Sequence, residues 1–178
     1  MNLASLFELL KAARAECAHA EYVVIGSLSI LGMSEVSELP QDMTLSIDAD
    51  CYTPADPGRI FDLAESLGEH SRFRREHGYY LDPVSPKLAT LPEGWELRMI
   101  PLERDGIRGF FLEPNDAAIS KLARGEPRDV RWVRAGVRAG LVSVPVLRLR
   151  LRHTDFFDAA ERDTAQRHVD AISKAAKR

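Results

Sequence analysis

The chain has 178 residues, of which 45% are hydrophobic and 29% charged, and this composition fits one globular domain with a sizeable core. No apolar run approaches the roughly 20 residues of a membrane-spanning helix, and the N-terminus lacks a basic segment followed by an apolar stretch. We therefore expect a cytoplasmic protein without a membrane partner. The two cysteines, Cys17 and Cys51, are too few for a disulfide framework.

The first elements are an amphipathic helix and two strands. Apolar residues recur at helical spacing from Leu3 to Leu10 and predict a helix over 3–20. "YVVIGS" predicts a buried strand that stops at Gly26, and "SLSILGM" opens a second helix from that turn. After the loop "SEVSELPQD", residues 43–52 predict the next strand.

The segment "ADPGRIFDLAESLG" predicts a further helix. Asp56 is a candidate N-cap, Pro57 suits the first helical position and Gly68 ends the helix. Its predicted apolar face consists of Ile60, Phe61, Ala64 and Leu67.

Strands and then helices follow. "GYYLD", "ELRMIPLE" and "IRGFFLE" predict strands, with a tight turn at "RDG". "EPNDAAISKLARG" predicts a helix from about Asn115 to Gly125, "EPRDVRWVRAGVRAG" predicts another, and the last 25 residues or so are helical. "VPVLRLRLRHT" alternates like a strand, but Leu147 and Leu151 also fit a helix, so both interpretations stay open. The predicted class is α+β, a mixed β-sheet flanked by helices over residues 1–112 and a helical C-terminal region over 113–178 packed on that core.

Asp48 and Asp50 lie at i and i+2 in a predicted strand, so their carboxylates share one face with Cα atoms about 7 Å apart. Like charges at this distance need a compensating cation, and Mg²⁺ prefers carboxylate oxygens together with substrate phosphates. The alternative is a solvated strand face, or pairing of the aspartates with arginines.

Gly26 and Ser27 stand between a buried strand and a predicted helix. A glycine there permits close approach of a ligand to the backbone, N–H groups at a helix start favour phosphate oxygens, and Ser27 adds a hydroxyl donor. Strand-to-helix glycines are also common turn devices. Combined with Asp48 and Asp50, the turn predicts a site for a nucleoside triphosphate.

Gly26-Ser27 followed by Asp48-x-Asp50 resembles the nucleotidyltransferase fold of the DNA polymerase β superfamily. "LPEGWELRMIPL" followed by "FFLEPNDAAISKLARGEPRDV" is similar to the uncharacterised nucleotidyltransferase-like proteins related to AbiEii-type toxins of type IV toxin–antitoxin systems. The resemblance spans roughly residues 20–142, and its most specific part is the Lys121 to Asp129 motif.

The resemblance implies a role for each matching residue. Asp48 and Asp50 would hold Mg²⁺, with two ions expected, and Gly26 and Ser27 would cradle the triphosphate. Lys121 would contact phosphate. The residues expected beside this pocket are Arg124, Arg128 and Asp129.

Two features depart from the family pattern. The Arg-x-Thr that often precedes the acidic pair is here Thr44-x-Ser46, and the loop from Ser27 to Asp48 is long. Polymerase-like members also place a third acid on a later strand, for which Glu96 in "WELR" is the first candidate and Glu103 the second. Without a third acid, general-base activation of the acceptor weakens.

The sequence thus predicts a Mg²⁺-dependent enzyme that transfers a nucleoside monophosphate from an NTP to a hydroxyl or phosphate acceptor. By resemblance the acceptor is RNA, with tRNA favoured, and the setting is a toxin with a cognate antitoxin protein. One alternative is a catalytically degenerate nucleotide- or nucleic-acid-binding module, and another is an interaction protein such as a neutralising partner.

The charge distribution also favours a phosphate-bearing ligand. Residues 121–152 hold nine basic and two acidic side chains, a balance of +7, so the rest of the chain carries −10. Arg131, Arg134 and Arg138 form a helical stripe that suits RNA phosphates. A solvated helix face paired with the acidic N-terminal part is the other interpretation.

Overall fold

Five short strands form one mixed sheet in the computed structural model, which describes residues 1–175. The strands are β1 (Glu21–Val24), β2 (Asp48–Tyr52), β3 (Tyr80–Pro83), β4 (Ile100–Arg104) and β5 (Ile107–Phe111). Their order across the sheet is β3-β2-β1-β5-β4. The β2–β3 and β1–β5 pairs are parallel, and the β1–β2 and β4–β5 pairs are antiparallel.

Helices surround this sheet and make up the C-terminal part, so the predicted α+β class is confirmed. The α-helices are α1 (Leu3–Cys17), α2 (Gln41–Thr44), α3 (Ala64–Leu67), α4 (Arg72–His77), α5 (Pro114–Arg124), α6 (Pro127–Arg138), α7 (Val144–Arg152) and α8 (Ala159–Ala175). Three 3₁₀ helices span Ser27–Gly32, Arg59–Leu63 and Trp95–Arg98. The proposed boundary between residues 112 and 113 stays a prediction, and the last three residues of the helical region, 176–178, lie outside the described part.

Several ends follow the predicted local signals. The "RDG" turn joins β4 to β5 with Asp105 at φ 53° and Gly106 at φ 72°, the left-handed pair that a tight hairpin turn requires. Gly125 ends α5 at φ 72°, as predicted. The start of α5 carries a cap that was not predicted: the side chain of Glu113 accepts from the N–H groups of Asn115 and Asp116.

Helix α5 connects the C-terminal helices to the sheet. It packs against α6, α7 and α8 and against the 3₁₀ helix Ser27–Gly32 at the end of β1. Asp116 of α5 is fully buried and pairs with Arg98 at 2.8 Å and Arg150 at 3.0 Å. These ion pairs tie the segment before β4, and α7, to one side of α5.

Three predicted elements differ from the observed ones near the sheet. The strand expected over 43–52 begins only at Asp48, because Gln41–Thr44 form a helical turn in which Met43 is buried and its carbonyl accepts from the indole of Trp132 at 3.2 Å. "SLSILGM" forms a 3₁₀ helix. "ELRMIPLE" forms a strand only from Ile100 onwards.

The helix predicted from Asp56 starts later and is wound differently. A 3₁₀ helix Arg59–Leu63 precedes α3, and the carbonyl of Asp56, not its side chain, accepts from the N–H of Arg59 at 3.1 Å. Phe61 is 49% exposed, so its predicted place on the apolar face was wrong, whereas Gly68 does end the helix.

The ambiguous "VPVLRLRLRHT" segment is helical. Leu147 and Leu151 lie one turn apart in α7 and are both buried, and α7 packs against α5 and α8. Within residues 1–175, no helix has both the length and the apolar character that crossing a membrane requires.

Candidate active site

Three aspartates meet on one face of the sheet. Asp48 and Asp50 alternate with the buried Ala49 and therefore point to the same side of β2, as predicted. Asp82 of β3 is the direct neighbour of Asp50 in the parallel register. One carboxylate oxygen from each aspartate lies within 4.8 Å of the others, an arrangement that could hold a divalent cation.

Gly26 brings the end of β1 against these carboxylates. The N–H of Ile25 donates to the carbonyl of Asp50 at 2.9 Å, and Gly26 adopts φ 67° and ψ −151°, a conformation open essentially to glycine alone. A Cβ at this position would lie 1.8 Å from Oδ2 of Asp50. Glycine is therefore required both by the backbone conformation and by the space beside the carboxylate.

Lys121 reaches the same turn from α5. Its ammonium is buried, donates to Oγ of Ser27 at 2.9 Å and to Oδ1 of Asp129 at 3.3 Å, and lies 5.0 Å from the ring centroid of Trp132. Trp132 also donates from its indole N–H to the carbonyl of Ser27 at 3.3 Å. The glycine-serine turn is thus held by both a lysine and a tryptophan of the helical part.

Asp129 lies behind the pocket and positions the side chains of Lys121 and Arg124. It receives two hydrogen bonds from Arg124, at 2.7 and 2.8 Å, in addition to the one from Lys121. Burial alone would raise the pKa of Asp129, but these bonds and charges hold it below its usual value. Burial also lowers the pKa of Lys121, and the Asp129 charge opposes this effect.

The pKa values of Asp50 and Asp82 are raised, in contrast to that of Asp129. Burial, followed by the charges of Asp48 and Asp82, raises the pKa of Asp50 to about 7, against the opposing influence of Lys121 and Arg124. Burial and the neighbouring Asp48 also raise the pKa of Asp82. Perturbed carboxylates of this kind are typical of functional sites.

A pocket of about 440 Å³ collects these groups. Among the predicted residues, it is lined by Gly26, Ser27, Asp48, Asp50, Lys121, Arg124 and Arg128. Asp129 does not line it and acts through Lys121 and Arg124. The lining residues that the sequence did not suggest include Ser46, Asp82, Thr90, Ser120 and Glu161.

Glu96 is placed elsewhere. It lies in the 3₁₀ helix before β4, is exposed, and lines a separate depression together with Trp95 and His153. Glu103, the second candidate, lies on β4 at the opposite edge of the sheet from β3 and pairs with Arg108 at 3.2 Å. Asp82 is the third carboxylate at the site. The available signal was its position at the end of the predicted strand "GYYLD", on the same alternation as Tyr80.

The mixed sheet, the carboxylate cluster and the lysine-held glycine-serine turn define a site suited to a divalent cation and phosphate groups. The chain belongs to the family described as nucleotidyltransferase of unknown function (DUF6036), which matches residues 1–178. No curated protein and no solved structure matches the chain.

Proposed function

We propose that the protein is a Mg²⁺-dependent nucleotidyltransferase that moves a nucleoside monophosphate from an NTP to a hydroxyl or phosphate acceptor and releases pyrophosphate. The observation that carries this proposal is the presence of Asp48, Asp50 and Asp82 in one pocket with Ser27 and Lys121. The family match supports the class of activity.

The three aspartates would hold Mg²⁺, with two ions expected, and the metal would supply charge neutralisation at the phosphates being exchanged. Lys121 and Arg124 would offset the charge that develops on the departing pyrophosphate. Asp82, the third carboxylate of the cluster, is also placed to accept the proton of an acceptor hydroxyl, the role for which Glu96 was predicted.

The test incubates the protein with each radiolabelled NTP, Mg²⁺ and total RNA, beside an Asp48→Ala/Asp50→Ala variant. Transfer of label by the wild-type protein and its loss in the variant are expected. Label transfer that persists in the double variant would refute the assignment of the metal site, and no transfer with any NTP would favour a binding module.

RNA, with tRNA favoured, is the acceptor that the resemblance implies, and the surface beside the pocket supports a polyanionic acceptor. Arg128 lines the pocket, and Arg131 and Arg134 continue from it along the exposed face of α6. Among residues 1–175, neither Arg131 nor Arg134 has an acidic partner within 4.0 Å, whereas Arg138 lies 3.9 Å from Asp42. The interpretation of the stripe as a face paired with acidic residues is therefore limited to Arg138.

The acceptor proposal is tested by RNA binding as a function of salt. An Arg131→Ala/Arg134→Ala variant is expected to bind RNA more weakly and to lose about 1.4 to 1.8 from the slope of log affinity against log salt, since each phosphate contact contributes about 0.7 to 0.9. Arg72→Ala/Arg75→Ala, which removes the same charge from two exposed arginines of α4 that do not line the pocket, is the matched control. An unchanged slope in the double variant would contradict an RNA track on α6.

The finer features of the resemblance, a relation to AbiEii-type toxins and a cognate antitoxin protein, stay predictions within this proposal.

A degenerate binding module would be favoured by a site that lacks a third acid, and Glu96 does not approach Asp48 and Asp50. Asp82 supplies a third carboxylate instead, so the position of Glu96 does not support that alternative.

A further inference from the structure

A second groove adjoins the aspartate pocket. It has a volume of about 500 Å³, and four residues line both cavities: Leu88, Thr90, Arg124 and Glu161. The two cavities therefore adjoin as parts of one cleft, with the three aspartates in the first part and two exposed apolar side chains among the polar residues of the second.

The apolar surface comes from two exposed side chains. Phe157, in the segment before α8, is 91% exposed, and Leu88, in the segment after β3, is 64% exposed. Both line the second groove. Among residues 1–175, Phe157 stacks on no other aromatic ring, so its faces are open to a planar ligand.

Phe157 is exposed but its backbone is anchored. The carboxylate of Glu161 accepts from the hydroxyl of Thr90 at 2.7 Å and from the N–H of Phe157 at 2.7 Å. The N–H of Glu161 in turn donates to the side chain of Asp158 at 2.8 Å. One carboxylate thus links the two segments that carry Leu88 and Phe157.

Charge gives the cleft a direction. Asp48, Asp50, Asp82 and Lys121 line the first cavity alone, Arg124 and Glu161 line both cavities, and Lys87 lines the second. With a bound cation, the aspartates together with Lys121 would hold phosphates in the first cavity. A nucleoside triphosphate carries its charge at one end and a flat, largely apolar base at the other. With the phosphates at the aspartates, the base is directed toward the surface formed by Leu88 and Phe157.

We propose that the groove between Leu88 and Phe157 is the nucleobase subsite of the enzyme, with Phe157 as the stacking residue and Glu161 as the residue that positions it. This inference rests on the proposed function. Stacking on an aromatic ring is available to every base, so the subsite contributes affinity for all four NTPs.

The test compares two ligands that share phosphates and differ in the base. Non-hydrolysable ATP and inorganic tripolyphosphate are titrated with Mg²⁺ into the wild-type protein and into Phe157→Ala, Phe157→Tyr and Leu97→Ala. Leu97 is the matched control because it is 93% exposed and lines neither cavity. Phe157→Ala is expected to weaken nucleotide binding about 10-fold, from the loss of one base–aromatic stack, and to leave tripolyphosphate binding unchanged.

Phe157→Tyr and Leu97→Ala are expected to bind both ligands like the wild-type protein, because the stacking ring is kept. Glu161→Ala is expected to weaken nucleotide binding relative to tripolyphosphate binding, since the anchor of Phe157 is removed, whereas the loss of the Glu161 charge acts on the phosphates of both ligands. An equal effect of Phe157→Ala on both ligands, or no effect on the nucleotide, would refute the subsite and leave the proposed function standing. A wild-type protein that binds neither ligand would refute the proposed function itself.

Discussion

Asp50 of β2 and Asp82 of β3 are direct neighbours in the parallel register, with their carboxylates on the same side of the sheet. The charge of Asp82 contributes to raising the pKa of Asp50, after burial and the charge of Asp48. Two adjacent carboxylates on a half-buried surface are unfavourable for the fold alone. A bound divalent cation relieves that repulsion, and this relief is the physical basis of the proposed metal site.

Asp82→Asn should abolish transfer, whereas Glu96→Gln should not. Asp82 lies within reach of both other aspartates, and Glu96 lines a separate depression. Loss of a general base or metal ligand costs about 10²- to 10⁴-fold in rate, so a loss of at least about 100-fold is expected for Asp82→Asn. Initial rates of label transfer at saturating Mg²⁺ measure the effect. Equal rates for the two variants would show that Asp82 is not the third acid.

Asp50→Asn should stabilise the metal-free protein at neutral pH. The pKa of Asp50 is about 7 in the fold and 3.8 ordinarily, so the folded state binds more protons than the unfolded state between these values. The contribution of Asp50 to the free energy of unfolding is therefore highest at low pH, where Asp50 is protonated in both states. It should fall by about 2 to 4 kcal/mol as the pH rises from about 4 to 7. Urea unfolding in EDTA at several pH values, compared with the variant, measures this difference.

The matched control for this experiment is Asp163→Asn, at an exposed position of α8. Asp163 lies outside the carboxylate cluster, so this variant should not reproduce the gain in stability of Asp50→Asn at neutral pH. Adding Mg²⁺ above pH 7 should raise the stability of the wild-type protein and not that of Asp50→Asn, because the ionised carboxylate of Asp50 is then free to bind the metal and the variant lacks this ligand. A constant difference between wild type and Asp50→Asn across this range would contradict the assigned pKa.

Asp129→Ala and Lys121→Met should separate stability from nucleotide binding. Asp129→Ala leaves Lys121 buried without its carboxylate, which costs about 3 to 5 kcal/mol. In Lys121→Met, Asp129 keeps both hydrogen bonds from Arg124, so the loss of stability should be smaller while NTP affinity falls. Urea unfolding without nucleotide and NTP titration measure the two effects. A larger destabilisation by Lys121→Met would contradict the role of Asp129 as the support of both cations.

Gly26→Ala should eliminate Mg²⁺ and NTP binding because the added Cβ displaces the Asp50 carboxylate. Gly78→Ala is the control, since Gly78 has a φ of 81° and a Cβ added there would meet no atom within 4 Å. Left-handed strain alone costs about 1 to 3 kcal/mol, so both variants should lose stability. Thermal unfolding with and without Mg²⁺-NTP should show that ligand stabilisation persists in Gly78→Ala alone.

The parts of the site that depend on local patterns were predictable from the sequence. Asp48 and Asp50 share a face because of the two-residue period of a strand, and Gly26 marks the end of a buried strand. Asp82 ends the predicted strand "GYYLD", but its place beside Asp50 depends on which strand pairs with β2 and in what register, and no local pattern carries that information. Glu96 was expected on a strand, but Gly94 at φ 70° leads into a 3₁₀ helix there.

Helices α5 and α7 likewise differ in how far local sequence patterns predict them. The end of α5 at Gly125 follows from a predicted local signal, whereas the cap at its start, Glu113, was not predicted. α7 has an alternating pattern typical of a strand and becomes helical because Leu147 and Leu151 are buried where α7 packs on α5 and α8. Phe157 and Glu161 join the cleft through tertiary packing alone.

A crystal structure with Mn²⁺ and a non-hydrolysable NTP tests the central claim most directly. The proposed function predicts anomalous peaks at roughly 2.0 to 2.3 Å from carboxylate oxygens of Asp48, Asp50 and Asp82, with the triphosphate beside Ser27 and Lys121. Metal and triphosphate bound away from these three aspartates, or an Asp82 carboxylate turned out of the metal's reach, would contradict it.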